Sequence, residues 1–275
     1  MRYENPRPVE HVNYSQEHPL KEFGQLVLGV AVLIITITIL LNFTAGYLAK
    51  HIPFSFEQKM VGEMTILDSG SSAQTAQLQA LADRLSEHMA LPEGMQITVH
   101  YDESDTVNAL ATLGGHVLFF QGLLDEIESE QELAAVMAHE IAHVKHRHPV
   151  VALGKGFTLA ALAGFVGGAS GSTAGEWLIG STSSLSLLQF SRQQESDADA
   201  TAARALFAVY GHIGGADELF KKFSRLESEN LDTSAGIELF RSHPYSKDRW
   251  GALKAIAHAR NWPIQGALTP WKAVL

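Results

Sequence analysis

An unbroken apolar run near the start of the chain is its clearest pattern. Residues 26–41 carry no charge, and the uncharged stretch continues to Ala49, immediately before Lys50. At about 1.5 Å per residue, a helix over 26–49 is about 36 Å long and exceeds the roughly 30 Å hydrocarbon core of a bilayer. We therefore predict one transmembrane helix at residues 26–49, with the lipid bilayer as its partner and residues 1–25 as a polar N-terminal tail.

Two alternatives to a membrane anchor stay open: a buried core helix and a cleaved signal peptide. Both the polar segment before the run and the run itself are long for a signal peptide. The basic residues predict an orientation, because Arg and Lys concentrate on the cytoplasmic side of a span. Three precede the run and two follow it closely: Arg2, Arg7 and Lys21 against Lys50 and Lys59. This difference favours a cytoplasmic N-terminus, with the rest of the chain on the non-cytoplasmic, periplasmic side.

Helical and extended patterns follow one another after a predicted linker at residues 50–72, in which 64–67 suggests a short strand. An apolar stripe with helical spacing predicts an amphipathic helix at 73–90. The stripe consists of Leu78, Leu81, Leu85 and Met89. Alternating apolar positions then predict strands at 95–101 and 106–112.

A hairpin and a long helix complete the central pattern. The Gly-Gly pair at 114–115 predicts a tight turn into a strand at 117–120. Ser129 and Glu132 match a capping box at the start of a helix that ends or kinks near Pro149. A small sheet with several helices and no repeating βαβ unit predicts the α+β fold class.

Residues 154–190 form a second apolar stretch, which glycines and Glu176 interrupt. The stretch has no uninterrupted run long enough to span a bilayer. Two interpretations stay open. One is a pair of helices packed on the preceding helix through small residues, and the other is a hairpin that contacts the membrane, with which Gly164-x-x-x-Gly168 is compatible.

The composition narrows the class of protein. Asp plus Glu number 30 against 20 Lys plus Arg, and no basic run occurs, so no nucleic-acid partner is expected. The chain has no cysteine, which excludes disulfides, a Cys nucleophile and a thiolate zinc site. Four of the 13 histidines instead fall within residues 139–148, and this local density indicates metal chemistry.

The sequence His139-Glu140-Ile141-Ala142-His143 is an H-E-x-x-H motif inside the predicted helix. Side chains four residues apart share a helix face, so both imidazoles can bind one ion. Zinc binds neutral imidazole nitrogen, and a catalytic zinc site keeps one position open for water. Glu140 can then act on that water as general base. The small and apolar residues around the motif argue against an incidental surface pattern.

A third protein ligand has to come from another part of the chain. The pattern H-E-x-x-H-x-x-G-x-x-H is excluded, because His146 and Pro149 stand where it requires Gly and His. Glu195 and Asp199 are four residues apart at the start of a predicted helix (198–209), so they share a face. Glu195 would bind zinc, and Asp199 would accept a hydrogen bond from the far N–H of a ligand imidazole. The alternative third ligands are Glu176, Asp197 and His146.

Together these motifs resemble the gluzincin metallopeptidases that include the CAAX prenyl proteases and the HtpX-like membrane proteases. The resemblance rests on four ordered segments: Asn108-Ala109-Leu110-Ala111 before Gly114-Gly115, His139 to His143, Glu195-x-x-x-Asp199, and Arg241-Ser242-His243-Pro244. It implies a mostly helical zincin-type metalloprotease domain with a small sheet and an edge strand, which we place at residues 73–260. We assign residues 261–275, about which the resemblance says little, to a C-terminal tail. Because multi-spanning members have several membrane helices, the single span favours the singly anchored branch.

The resemblance also implies an activity, a zinc endopeptidase with one Zn²⁺ per chain. The implied ligands are His139, His143 and Glu195. Glu140 would be the general base, and His243 would donate a hydrogen bond to the developing oxyanion. The Asn108 to Ala111 segment would bind the polypeptide substrate by strand addition. We therefore expect cleavage of extended or partly unfolded polypeptides, as in protein quality control.

Functions from other classes stay open. A membrane-tethered binding module could keep zinc as a structural element, and it would lack the general base or have an all-protein fourth ligand. The presence of Glu140 argues against this module. An enzyme with the same zinc chemistry could act on a non-peptide amide, and the edge-strand motif argues against that alternative.

The predicted anchor is testable by fractionation. Membranes washed with alkaline carbonate should retain the full-length chain, because a spanning helix resists extraction, whereas a chain shortened to residues 60–275 should be released. The measurement is immunoblotting of the two fractions. A mature N-terminus near residue 47 would show a cleaved signal instead.

Overall fold

The computed structural model describes residues 19–49, 51–62, 73–154, 190–229, 243 and 247–271. The predicted strand at 64–67 lies outside these residues, and so does the apolar stretch from 155 to 189. Of the Arg-Ser-His-Pro motif, only His243 is described.

The apolar run forms one long helix, α1 (Pro19–Ala49), which begins seven residues before the predicted span. Its segment Leu20–Leu40 is long and apolar enough to cross a membrane, and none of the apolar window is buried against protein. This exposure argues against a buried core helix. The hydroxyls of Thr36 and Thr38 donate to carbonyls four residues earlier at 2.8 Å, which satisfies these polar groups inside an apolar medium.

A small sheet lies at the centre of the remaining chain, and it consists of β1 (Thr98–Asp102), β2 (Ala109–Ala111) and β3 (His116–Phe120). The strand order is β1-β3-β2, with β1 parallel and β2 antiparallel to β3. Within the described part of the chain, β2 is therefore an edge strand. It is shorter than the predicted 106–112, while the turn at Leu113–Gly115 confirms the hairpin.

The register of the hairpin defines which way the backbone groups of β2 point. Thr112 N–H donates to the His116 carbonyl at 2.8 Å, and Phe120 N–H donates to the Asn108 carbonyl at 3.2 Å. Because hydrogen-bonded positions alternate along an antiparallel pair, Asn108 and Thr112 face β3. The backbone N–H and C=O groups of Ala109 and Ala111 consequently point to the other side, away from the sheet.

Helices cover the sheet and form most of the core. They are α3 (Ala73–Ser86), α4 (Gln121–Glu126), α5 (Glu130–Lys145), α6 (Arg192–Tyr210), α7 (Ala216–Glu229) and α8 (Lys247–Ala259). The predicted stripe of the 73–90 helix is buried as expected, although α3 ends at Ser86. The fold is α+β and mostly helical, as predicted.

Helix α5 is the central element, and most of its side chains are buried. Ser129 caps it, because its hydroxyl accepts from the Glu132 N–H as the capping box predicts. The helix ends at Lys145, and Arg147 then adopts a left-handed φ of 61°. A short helical segment follows at residues 148–154. The break predicted near Pro149 therefore occurs slightly earlier.

Both flanks of the predicted 73–260 domain contain segments that pack against it. The predicted linker includes a helix, α2 (Phe54–Gly62), in which Glu57 and Val61 are buried. In the predicted C-terminal tail, Trp271 N–H donates to the Glu128 carbonyl at 2.9 Å. These contacts join both segments to the core, while the exact domain boundaries stay a prediction.

The β2–β3 turn supplies a stability prediction with a matched control. Gly115 has a φ of +88°, and a Cβ there would lie 2.0 Å from the Gln96 carbonyl oxygen; Gly94 has a φ of +77° but open space around it. Gly94→Ala should lower the free energy of unfolding by about 1–2 kcal/mol, the strain of a left-handed residue with a Cβ. Gly115→Ala should lower the free energy of unfolding clearly more, because the backbone must also move to relieve the clash. Chemical denaturation measures both, and equal losses would contradict the steric argument.

Candidate active site

Two packed helices bring the predicted ligand residues together. His139 and His143 project from one face of α5, and their Nε2 atoms are 3.0 Å apart. Glu195, from the first turn of α6, places Oε2 3.4 Å from His139 Nε2 and Oε1 3.4 Å from His143 Nε2. Three ligand atoms therefore converge on one point between α5 and α6.

His243 adds a fourth candidate ligand atom to this group. Its Nδ1 lies 3.1 Å from Glu195 Oε1 and 3.2 Å from His139 Nε2. The ligand atoms of His139, His143, Glu195 and His243 all lie within 4.8 Å of one another. The family resemblance implied that His243 is a hydrogen-bond donor at the site, and the structure brings its Nδ1 among the converging ligand atoms.

The chemistry of this donor set fits a divalent cation. Two imidazoles and a carboxylate are the ligand types of catalytic zinc sites. In the described part of the chain, Glu140 Oε1 and His243 Nε2 are buried without a hydrogen-bond partner, which is costly unless the site holds something else. Burial alone would lower the pKa of His139, but hydrogen bonds to Asp199 and Glu195 outweigh it and raise the pKa to about 10. This cluster of buried side chains therefore favours the binding of a positive charge.

Glu140 lies next to the converging ligand atoms and is completely buried. Its Oε2 accepts a hydrogen bond from the outward-pointing Ala111 N–H at 2.7 Å. Its Oε1 lies 3.4 Å from His243 Nε2. Burial raises the pKa of Glu140, because the charged form loses hydration, and a raised pKa makes its carboxylate a better proton acceptor near neutral pH.

Asp199 lies where the sequence predicted it, on the far side of a ligand imidazole. Its Oδ1 is 3.0 Å from His139 Nδ1, so it can accept that N–H and hold Nε2 toward the metal position. Arg249, on α8, donates to both oxygens of Asp199 at 2.8 and 2.7 Å. Its Nη1 also lies 2.9 Å from Glu195 Oε2. Sequence reasoning missed Arg249, because no spacing relates it to the α5 motif.

His148, to which the sequence motifs assigned no role at the site, contacts the imidazole of His143. Its Nδ1 lies 3.0 Å from His143 Nδ1, and its side chain is buried. A residue five positions after His143 would point away on a continuous helix. The left-handed Arg147 interrupts α5 and returns His148 to the site. The ring of Phe190 covers His143 at a centroid distance of 4.0 Å.

The alternative third ligands do not join this group where they are described. His146 Nε2 is 2.8 Å from Thr201 Oγ1, and Asp197 is exposed and accepts from Gln193. Glu176 lies outside the described residues. Among the described candidates for the third ligand, Glu195 is thus the one whose carboxylate reaches the Nε2 atoms of both α5 imidazoles.

The predicted substrate-binding segment borders the same site. Asn108, Ala109, Leu110 and Ala111 are all buried, and Ala111 directly contacts Glu140. The amide side chain of Asn108 has no hydrogen-bond partner among the described residues. The substrate role of the segment stays a prediction.

An H-E-x-x-H helix, a Glu from a second helix and an adjacent edge strand define the active site of a zincin-type metallopeptidase. Comparison with known proteins gives the family, since a match to peptidase family M48 extends over residues 72–257, more than half of the chain. The chain belongs to this family of metal-dependent peptidases, and the expected resemblance is confirmed.

Similar proteins include several proteases. The chain is 28% identical over 242 residues to a protease HtpX homolog of Polynucleobacter necessarius, a match covering 76% of this chain and 83% of that protein. It is 35% identical over 170 residues to a putative beta-barrel assembly-enhancing protease of Vibrio cholerae, covering 57% of this chain but only 33% of that protein. It is 28% identical over 151 residues to the mitochondrial metalloendopeptidase OMA1 of Schizosaccharomyces pombe, a match covering 55% of this chain and 44% of that protein.

Substitution of Glu195 and Asp199, two of the three acidic residues of α6, separates their roles. Glu195→Ala should lose the bound metal, because one of the converging ligand atoms disappears. Asp199→Ala should weaken metal affinity by about 10–100-fold, since it removes only a hydrogen-bond partner of His139. Metal binding by this variant should therefore recover in excess zinc. Asp197→Ala, at an exposed position on the same helix, is the control and should bind normally. Metal content across a zinc titration is the measurement. A metal-free Asp199→Ala beside a rescuable Glu195→Ala would reverse the assignment.

Proposed function

We propose that this chain is a membrane-anchored zinc endopeptidase that cleaves extended or partly unfolded polypeptides in protein quality control. The convergence of His139, His143 and Glu195 beside the buried Glu140 is the observation that carries the proposal. Membership of peptidase family M48 supports the metallopeptidase activity. Zinc is the proposed metal because imidazole and carboxylate ligands with an adjacent general base are typical of catalytic zinc sites.

When bound, zinc would supply a Lewis acid that lowers the pKa of a water and polarises the scissile carbonyl. His139, His143 and Glu195 would hold the ion, and Asp199 and His148 would orient the two imidazoles through their far nitrogens. Burial lowers the pKa of His143, which favours the neutral imidazole that metal binding requires.

Glu140 takes the proton of the attacking water and then delivers it to the leaving amine. The Ala111 N–H holds one carboxylate oxygen, and the other, Oε1, which has no hydrogen-bond partner among the described residues, would face the water. The proposed role of His243 is to donate a hydrogen bond to the developing oxyanion, because its Nε2 has no hydrogen-bond partner among the described residues and lies beside Glu140. Such preorganised donors stabilise transition-state charge.

The substrate is proposed to be an extended polypeptide for two structural reasons. The outward backbone groups of Ala109 and the Ala111 carbonyl can form hydrogen bonds with a further strand. Such pairing depends on the backbone of the added strand more than on its side chains. A pocket of about 70 Å³ also adjoins His139 and Glu140. Its apolar lining can accept an apolar side chain of the substrate, and it includes Val136, Leu206, Phe220 and Leu253.

The proposed cellular context is a membrane surface. Helix α1 and the HtpX-like relatives support a membrane-anchored protein. The three basic residues before the span and two after it favour the periplasmic side for the peptidase domain. The relatives named beta-barrel assembly-enhancing protease and OMA1 support a role in quality control, although the match covers a third and under half of their lengths.

A structural metal site in a binding module is the second candidate function. The observation in its favour is His243 Nδ1, which could complete an all-protein set of four ligands. A purely structural metal site would not require a buried carboxylate beside the metal position. Glu140 is such a carboxylate, and its Oε1 has no hydrogen-bond partner among the described residues. The presence of Glu140 therefore favours catalysis.

The decisive test combines a general-base substitution with metal removal. Glu140→Gln should keep zinc, but its cleavage rate should fall by at least about 10²–10⁴-fold, because the amide cannot accept the proton. A chelator should abolish cleavage of unfolded casein by the unsubstituted protein, and zinc should restore it. Glu93→Gln, an exposed charge removal, is the control and should cleave normally. Full activity of zinc-loaded Glu140→Gln would contradict the proposed mechanism.

A further inference from the structure

Helix α2 begins five residues after the end of the membrane helix α1 and packs against the β2–β3 turn beside the candidate active site. Its Val61 joins an apolar cluster with Leu113 of the β2–β3 turn. The same cluster contains Val150 and Val151, from the segment that follows α5. The juxtamembrane helix therefore touches both the turn after the edge strand and the segment that follows the catalytic helix.

A buried ion pair sits at the centre of this contact. The carboxylate of Glu57 is almost fully buried, and it pairs with the guanidinium of Arg147. Its second oxygen, Oε2, accepts the Gly114 N–H at 3.1 Å. Arg147 also donates to the Ile52 carbonyl at 2.7 Å, and its guanidinium lies 5.8 Å from the centre of the Phe54 ring. One carboxylate thus links α2 to two other elements.

Both linked elements lead directly to Glu140. Gly114 follows the edge strand by three residues, and Ala111 of that strand donates to Glu140 Oε2. Arg147 stands two residues after the end of α5, which carries Glu140 itself. The fit of α2 on the turn is close, because a Cβ at Gly114 would lie 3.2 Å from the Gln58 Cα. Movement of α2 would therefore shift the edge strand relative to the catalytic helix.

We propose that α2 is a positioning element of the active site, in which Glu57 and Arg147 hold the edge strand and the catalytic helix at the separation that keeps the Ala111 N–H on Glu140. The proposal rests on the proposed peptidase function. Glu57 and Arg147 are positioning residues, because they act through Ala111 and Glu140. The membrane anchor and the catalytic base are then connected through one short helix, and the predicted linker takes part in catalysis.

The test compares charge and length changes at Glu57 in the full-length, zinc-loaded protein in detergent. Glu57→Gln removes the charge opposite Arg147, and Glu57→Asp keeps the charge but shortens its reach. Lys59→Gln removes an exposed charge from the same helix as a control. Circular dichroism and metal content first establish which variants are folded and loaded. Peptide cleavage then gives kcat and KM, and hydrogen–deuterium exchange reports on residues 109–115 independently of activity.

Both Glu57 variants should keep one metal per chain and lower kcat by about 10-fold or more, since small misplacements of reacting groups have effects of this size. KM should change less than about twofold, because pairing with β3 still holds the β2 backbone. Exchange at residues 109–115 should become faster, and Lys59→Gln should behave as the unsubstituted protein. Glu57→Asp should be the milder variant, so it allows the same measurements if Glu57→Gln does not fold.

Unchanged kcat and unchanged exchange in a folded Glu57→Asp or Glu57→Gln protein would overturn the proposal. A loss of metal or a general loss of stability without faster exchange at 109–115 would also overturn it, because the residues would then be merely structural. Failure of the proposed peptidase function has a different signature: the unsubstituted protein would show no chelator-sensitive cleavage, while the exchange experiment would still report on α2.

Discussion

The burial of charged and imidazole side chains between α5 and α6 is the constraint on which the rest of the structure depends. Glu140, His143 and Glu195 are almost fully excluded from solvent. Uncompensated, such groups would cost several kcal/mol each, so every neighbouring element has to contribute a hydrogen bond, an opposite charge or a place for a cation. Apolar residues pack on the remaining faces of both helices and fix their separation. The proposed metal position is therefore a product of core packing and of charge compensation together.

Partners from several parts of the fold meet this constraint. The Asp199 carboxylate accepts from His139 and is held in turn by Arg249 of α8, while His148 faces His143. Burial alone would raise the pKa of Asp199, but its hydrogen bonds to Arg249 and His139 outweigh that effect and lower it. Asp199 thus stays charged, which suits a group that orients an imidazole ligand.

The edge strand and the juxtamembrane helix extend this network toward the membrane. The Ala111 N–H reaches Glu140 from β2, and the β2–β3 turn is bound by Glu57 of α2. Helix α2 begins shortly after α1, which has the length and exposure of a membrane span. In the proposed enzyme, the anchor therefore localises the peptidase and its adjoining helix also contributes to the geometry of the catalytic base.

Local patterns in the sequence determined the apolar span, the capped α5 helix, the hairpin and the shared helix face of His139 and His143, because each depends on spacing within one element or one turn. Spacing alone left several candidates for the third ligand, and the family resemblance favoured Glu195. The inward position of His148 depended on the left-handed break at Arg147, and the Asp199–Arg249 pair joins residues 50 positions apart. Likewise, the burial of Glu57 became visible only when α2 packed on the β2–β3 turn. Periodicity reports which face of an element is apolar, but not which distant element covers it. The partners of the buried polar groups were therefore decided by the tertiary structure alone.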